Sequence, residues 1–390
     1  MTPAGHKKIT SQLLGVFCLG LLLRLVLAVV IPSAGDIDAW KHYSTYWEKS
    51  LFSPYDEVCR YKYSPLWFWV ITLVSFICKE TGLNFSIAIR MPIIATDCFL
   101  FWLLLKSCQK LRFNSKQTLI TLTSFFLNPV SVQISGYYGQ FDNMSLLFVL
   151  LAWYAWSFYS SHRFWWALVF LNLSLAVKHF TIMLVPVFAF VQKNWFRKIA
   201  LGIAAPILFL IILMPYWVRD THWVNVNVFQ YKLGSGYWGW LGVICRSTLL
   251  FTGFDMIRQP WFKYASIINP LLYVGIIMAS FYIVKRYSLL DSLVLILLIF
   301  YSLTTEIAPQ YTIWIIPFAV FRPNRYLFAY SAIAGVQLAF FYYSHYHWFY
   351  QYSLPRFYSE TFVIFRYLTW VVCVFWLFHM LRLKKRKPSV

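Results

Sequence analysis

Residues 63–79 read Tyr63-Ser64-Pro65-Leu66-Trp67-Phe68-Trp69-Val70-Ile71-Thr72-Leu73-Val74-Ser75-Phe76-Ile77-Cys78-Lys79, and the fold turns on whether this apolar run crosses a membrane. If it crosses, the basic loop carrying Lys106, Lys110, Arg112 and Lys116 falls on the outside. If it lies in the interface or re-enters, that loop falls inside. So then do Arg163; Lys193, Arg197 and Lys198; Lys285 and Arg286; Arg322 and Arg325; and the tail Arg382, Lys384, Lys385, Arg386 and Lys387. With Lys7 and Lys8 before the first apolar segment, 19 of the 34 basic residues then occupy short inside segments, with Asp291 their one clear acid. Short inside loops rich in Lys and Arg are what membrane insertion selects, so the non-crossing reading is adopted.

The composition agrees with a membrane protein. Hydrophobic residues make up 60% of the 390 and charged residues 12%, too apolar for a soluble domain. Apolar runs long enough to span recur from residue 11 to 383, at about 11–32, 84–106, 117–136, 143–161, 163–178, 179–192, 198–217, 262–284, 288–304, 307–321, 326–343 and 361–383. The expected fold is all-α: a single membrane-embedded domain over 1–390 with about 12 transmembrane helices and both termini inside. The first outside loop, 33–83, would add an interfacial amphipathic helix and the re-entrant or interfacial run. The runs 163–178 and 179–192, counted separately here, are short and read either as two spans or as a broken pair. Net charge is +21, but the cations cluster in short loops, which excludes a nucleic-acid surface. The seven cysteines show no CxxC spacing and suggest neither a disulfide frame nor a metal site. The first apolar segment lacks a small-residue cleavage site and is expected to be retained.

This topology gathers the polar chemistry on the outside face. Gly35-Asp36-Ile37-Asp38-Ala39-Trp40 opens the first outside loop, with Trp40, Tyr43 and Trp47 along one side of an expected helix over 37–50. Asp36 and Asp38 could simply cap that helix. A carboxylate beside a low-dielectric surface can also gain the proton affinity of a general base, and the two roles are compatible. Tyr61 and Lys62 precede Pro65, which suits a first helical turn, and are candidates to face the same site. Gly136-Tyr137-Tyr138-Gly139-Gln140-Phe141-Asp142 forms a turn whose Gln140 and Asp142 offer hydrogen bonds to a hydroxyl-rich ligand; the plainer reading is a polar helix end. Lys178-His179 interrupts an apolar stretch, with Lys178 either snorkelling or meeting a phosphate. Arg90 and Asp97 share a helix face and suit buried ion pairs with other helices. Gln310 and Tyr311, in Ala308-Pro309-Gln310-Tyr311, sit at an outside helix start. The long loop 218–261 is outside, as is 343–360, which brings His345, His347 and Arg356 among many aromatics. His345 and His347 lack a third ligand at metal spacing, so zinc is not expected.

Together GDIDAWKHYSTYW, SPYDEVCRYKYSPL, NPVSVQISGYYGQFDN and APQYTIWIIPF resemble the GT-C glycosyltransferases that use polyprenyl-phosphate sugars. Within them the chain is similar to the GPI mannosyltransferases that add the first mannose; at GQFD it is more similar to bacterial members of the superfamily. The resemblance covers 11 to about 145, and 305–320 in one short motif. It implies an inverting hexose transfer, mannose as first guess, with an outside-loop Asp deprotonating an acceptor hydroxyl and polyprenyl phosphate leaving. It favours Asp36 as base, because relatives keep an acid there while the second position varies between Asp and Glu. No cofactor is required, a divalent ion at Asp36 and Asp38 being optional. The expected partners are the lipid-phosphate donor, a glycan, glycolipid or protein acceptor, and membrane lipids. In that scheme Tyr61, Lys62, Gln140, Asp142, Gln310 and Tyr311 line the substrate. Lys178, His179, His345, His347 or Arg356 would stabilise the phosphate. The expected location is the bacterial plasma membrane, with the endoplasmic reticulum as alternative.

Two rivals belong to other classes. A transporter or lipid-carrier flippase needs charges near the midplane and internal symmetry; only Arg24, Arg90 and Asp97 qualify, and no repeat is visible. An oligosaccharide ligase or polymerase would rest on Arg and His in a late loop, so alanine at Asp36 against alanine at Arg356 separates it.

Overall fold

The computed structural model describes residues 3–31, 35–46, 54–56, 59–230, 239–253, 268–305, 307–345 and 355–383. Among them every regular element is helical. The α-helices run, in chain order, α1 Pro3–Val30, α2 Gly35–Ser44, α3 Pro65–Thr81, α4 Phe85–Ala88, α5 Met91–Lys110, α6 Ser115–Phe126, α7 Pro129–Val132, α8 Asp142–Phe158, α9 Arg163–Val177, α10 Val185–Phe190, α11 Trp195–Ala204, α12 Ile207–Arg219, α13 Thr221–Val224, α14 Trp240–Thr252, α15 Ile268–Ile283, α16 Leu289–Leu303, α17 Ile316–Ala319, α18 Arg325–His345 and α19 Pro355–Arg382.

Four stretches are long and apolar enough to cross a membrane: Thr10–Val30, Phe85–Lys110, Trp195–Arg219 and Ile364–Arg382. The bent pair Ser115–Phe126 and Pro129–Tyr138 would make a fifth. Large apolar side chains are exposed along them, among them Leu14, Leu22 and Val29 on α1, while Arg24 of the same helix is wholly buried. Apolar surface turned outward and charge turned inward is the arrangement of a protein dissolved in lipid. The chain is an all-helical membrane protein.

Contacts group the residues into two compact units, one of 1–182 with 200–231 and one of 183–199 with 232–390. In the first unit, local chemistry sets the breaks that shape the site. Ser64 caps α3, Pro65 fills its first turn, and Gly82 ends it in the left-handed region at φ 73°. After α6 the chain bends by 41°, because Pro129 has no N–H to give and Asn128 instead caps α7, its side chain accepting from the Val130 N–H at 3.1 Å. The helix then widens into a π-turn over Gln133–Tyr138 and stops at Gly139, φ 64°. The expected break inside 163–192 is present: α9 ends at Lys178, whose backbone is extended, and a 3-10 segment over His179–Leu184 follows.

Four helices of this unit are tied by one buried cation. Arg24 of α1 donates from Nε to Asp97 of α5 at 2.7 Å and to Ser135 of the π-turn at 3.0 Å, from Nη1 to the carbonyls of Gly20 and Phe126, and from Nη2 to Ser131 of α7. Asp97 also accepts from Asn143 of α8 at 2.5 Å. Asp97 thus pairs with another helix, as its position suggests. Arg90 instead donates to the carbonyls of Ala28, Ser86 and Tyr137. Such a pair needs its full set of hydrogen bonds to offset the cost of leaving water, and Arg24 has them.

In the second unit α16, α18 and α19 pack together. Tyr301 of α16 donates to the Tyr311 carbonyl at 2.6 Å and Tyr330 of α18 to the Thr312 carbonyl at 2.7 Å, which holds the 3-10 segment Pro309–Ile313 inside the unit.

Candidate functional site

The helix carrying the acidic pair starts at Gly35 rather than at 37, so Asp36 and Asp38 both lie in its first turn, where unbonded N–H groups and the helix dipole favour negative charge. Two residues on a helix are about 200° apart, and the structure separates them accordingly. Asp36 is half-buried and Asp38 exposed. Asp38 and the buried Arg90 attract one another electrostatically.

What holds α2 in place is the aromatic stripe on its other side. Trp40 is buried, donates from Nε1 to the Gly139 carbonyl at 3.0 Å, and meets the rings of Tyr63, Trp67 and Phe141 at 5.5, 5.8 and 5.7 Å. Tyr43 packs on Tyr61 at 5.1 Å. Ile37 closes over Gly139, so that a Cβ at that glycine would overlap its Cδ1. The stripe expected to lie in the membrane interface is used at Trp40 and Tyr43 for internal packing; Trp47 lies outside the described residues.

The turn beneath α2 carries the remaining polar groups of this unit. Asp142 Oδ2 accepts from Lys178 Nζ at 2.8 Å, both side chains being almost completely buried. The ammonium also lies 4.9 Å from the Phe141 ring centre and 5.2 Å from that of Tyr63, so rings and carboxylate together replace its water. Gln140, two residues before Asp142, is wholly buried, and neither its amide nitrogen nor its oxygen finds a partner among the described residues; the same holds for Asn143 Oδ1 and His179 Nδ1. Burying such atoms without a partner costs about 1–3 kcal/mol each, so groups of them in one place mark where a hydrogen-bonding ligand would be stabilised. Ser145, Ser174 and Thr181 bond one another and fasten α8 to α9 and to the segment after the break.

Of the residues singled out in the sequence, Asp36, Asp38, Gln140, Asp142, Lys178, His179, Tyr61 and Lys62 all fall in the first unit. Tyr61 is fully buried and donates its hydroxyl to the Ser64 carbonyl at 3.0 Å; burial pushes that hydroxyl well above its ordinary value, so it stays a donor. Lys62 is exposed. Gln310 and Tyr311 are buried in the second unit, Tyr311 stacked on Trp314 at 4.3 Å. His347 lies outside the described residues, as do the side chains of His345 and Arg356. Among the described residues no three His, Cys, Asp or Glu side chains come together. Asn143 and Arg24 carry no local signal of their place around the turn, because each is defined by a partner far along the chain.

The chain matches no family model, and no curated protein matches it significantly. The chemistry therefore rests on the residues. A half-buried carboxylate stands at a helix start docked on a turn that holds a neutralised ion pair and buried amide atoms without a partner among the described residues.

Proposed function

We propose that the protein is a GT-C-type glycosyltransferase that moves a hexose, mannose as first guess, from a polyprenyl-phosphate donor to a glycan, glycolipid or protein acceptor. The observation that carries this reading is the docking of α2, with Asp36 and Asp38 in its first turn, on the turn that presents Gln140 and the buried Asp142–Lys178 pair. Asp36 takes the proton of the acceptor hydroxyl. The oxygen attacks the anomeric carbon from the face opposite the phosphate, the bond from that carbon to the phosphate oxygen breaks, and the polyprenyl phosphate leaves with the electron pair and inverted configuration behind it. Asp38 orients the acceptor or the helix start, with a divalent ion optional. Gln140 reads sugar hydroxyls with both halves of its amide. The donor cannot leave the bilayer, so this chemistry belongs at the membrane face.

The architecture proposed with it has about twelve crossings, both termini cytoplasmic, and α3 held in the interface or re-entrant. The bacterial plasma membrane is the proposed location, the endoplasmic reticulum the alternative. The test is donor choice. Purified protein in detergent should release free polyprenyl phosphate from polyprenyl-phosphate mannose in an acceptor-dependent manner, and should not consume a nucleotide sugar. Efficient transfer from a nucleotide sugar with no lipid carrier present would overturn the proposal.

A further inference from the structure

One end of the second unit gathers positive charge around a cleft. The Tyr287 hydroxyl donates to the Leu381 carbonyl at 3.1 Å, and the Tyr326 and His379 rings meet at 5.0 Å, so the start of α16, the start of α18 and the end of α19 share this end. Among the described residues there, Lys285, Arg286, Arg322, Arg325 and Arg382 face a single acid, Asp291. Five cations against one anion leave a strongly positive surface.

The cleft lies between α16, α17, α18 and α19 and encloses about 240 Å³ with its open mouth included. Its walls are Leu290, Val294, Phe318 and Met380; its polar groups are Asp291, Arg322, Asn324 and Trp376. Asp291 is satisfied, accepting from the Ser288 hydroxyl at 2.7 Å and from Arg322 Nη1. Arg322 spends one nitrogen on that contact and has other N–H groups to donate, its side chain being 45% exposed. Trp376 is 1% exposed and its indole N–H has no acceptor. Asn324 caps α18, accepting from the N–H groups of Tyr326 and Leu327, so the positive end of that helix also borders the cleft. The cleft is thus rich in donors, and its own acceptor is already used.

We infer that this cleft binds the phosphate of an anionic phospholipid headgroup. In this assignment the exposed Arg322 meets the phosphate and the buried Trp376 N–H donates to one of its oxygens. A lipid, rather than free phosphate, is favoured by what the helices of the cleft turn outward: Phe328 on α18 and Phe375 and Phe378 on α19 are exposed at 52%, 60% and 54%, an apolar surface for acyl chains. Basic clefts between membrane helices take anionic headgroups for this reason. The inference does not depend on any transferase activity.

The test is lipid retention. Full-length protein, delipidated in detergent, is offered equimolar phosphatidylglycerol and phosphatidylcholine, and retained lipid is read by native mass spectrometry. Retention should favour phosphatidylglycerol by about fivefold or more, the scale of one basic side chain at a membrane surface. Trp376→Phe keeps an aromatic ring and removes the N–H, and Arg322→Gln removes the cation; each should lower the amount of phosphatidylglycerol retained about fivefold. Trp376→Phe decides the matter if Arg322→Gln fails to fold. Equal retention of the two lipids by the unaltered protein, or unchanged phosphatidylglycerol retention by Trp376→Phe, overturns the assignment. Displacement of the lipid by millimolar inorganic phosphate would assign the cleft to free phosphate and overturn it as well.

Discussion

Asp36 and Asp38 differ by their place on α2, and the difference sets their expected contributions. The half-buried Asp36 is partly shielded from water, while the exposed Asp38 sits where water competes for every contact. Asp36→Asn should therefore lower turnover by the ~10²–10⁴-fold typical of a lost general base, with donor binding and thermal unfolding unchanged. Asp38→Asn should lose less, because an amide keeps part of the hydrogen bonding. Near-normal turnover in Asp36→Asn with Asp38→Asn inactive would exchange the two roles; normal turnover in both would remove the pair from the chemistry. A second residue reports on the loop below them. Cys59 is buried, and burial together with the nearby charge of Asp56 raises its thiol to about 12. Its folded value lies above the ordinary thiol range, so the protonated, unreactive form persists through neutral and mildly alkaline pH. A maleimide at pH 8 should leave Cys59 unlabelled in the folded protein while labelling a cysteine put in place of exposed Lys62; rapid labelling of Cys59 would show that the loop is open.

At the scale of elements, the docking of α2 depends on one glycine. Gly139 has φ 64°, and a Cβ there would overlap Ile37 Cδ1, so Gly139→Ala meets both backbone strain and a clash. Gly82, at φ 73° with open space around it, meets the strain alone. Both substitutions should cost about 1 kcal/mol through the backbone, and Gly139→Ala about 1–3 kcal/mol more through overpacking. Only Gly139→Ala should also impair transfer; equal melting temperatures and equal activity in the two variants would show that α2 is not seated on this turn. Which elements could be read from the sequence follows from the range of the forces that set them. The break after α9 is legible in Lys178-His179, because an interrupting charge acts locally, whereas the run 117–136 reads as one span although Pro129, which lacks an N–H, breaks it. The π-turn over Gln133–Tyr138 has no such mark. Arg24 and Asp97 are marked as charges within apolar runs, but that they are each other's partners, 73 positions apart, is not. Likewise the pairing of Lys178 with Asp142 follows from the packing of α8 on α9, and the sequence shows only two polar residues near helix ends.

For the whole molecule, the sequence settles the class, since no soluble chain carries apolar runs of this number and length, and the helices long enough to span agree. Orientation is a separate matter, set by charge in the short loops, and it rests on the reading of α3. If α3 does not cross, the loop between α5 and α6, with Lys110 and Arg112, faces the cytoplasm together with every later basic loop. The chain after α18 then faces the other way, along with α2 and the turn at 139–142. The seven cysteines are all free, so they can be replaced to give a background without thiols. On that background a single cysteine at 110–114 should react with an impermeant maleimide only after the membrane is opened, and one at 345–352 should react in sealed vesicles of native orientation. Labelling of both from the same side would mean that an odd number of crossings has been misassigned between them. If the 110–114 position alone proved external, α3 would be a true span and Asp36 would stand across the membrane from the turn on which α2 is packed. Trp40 bonded to Gly139 forbids that separation, so such a result would mean that the whole chain is inserted in the opposite orientation rather than that α3 crosses.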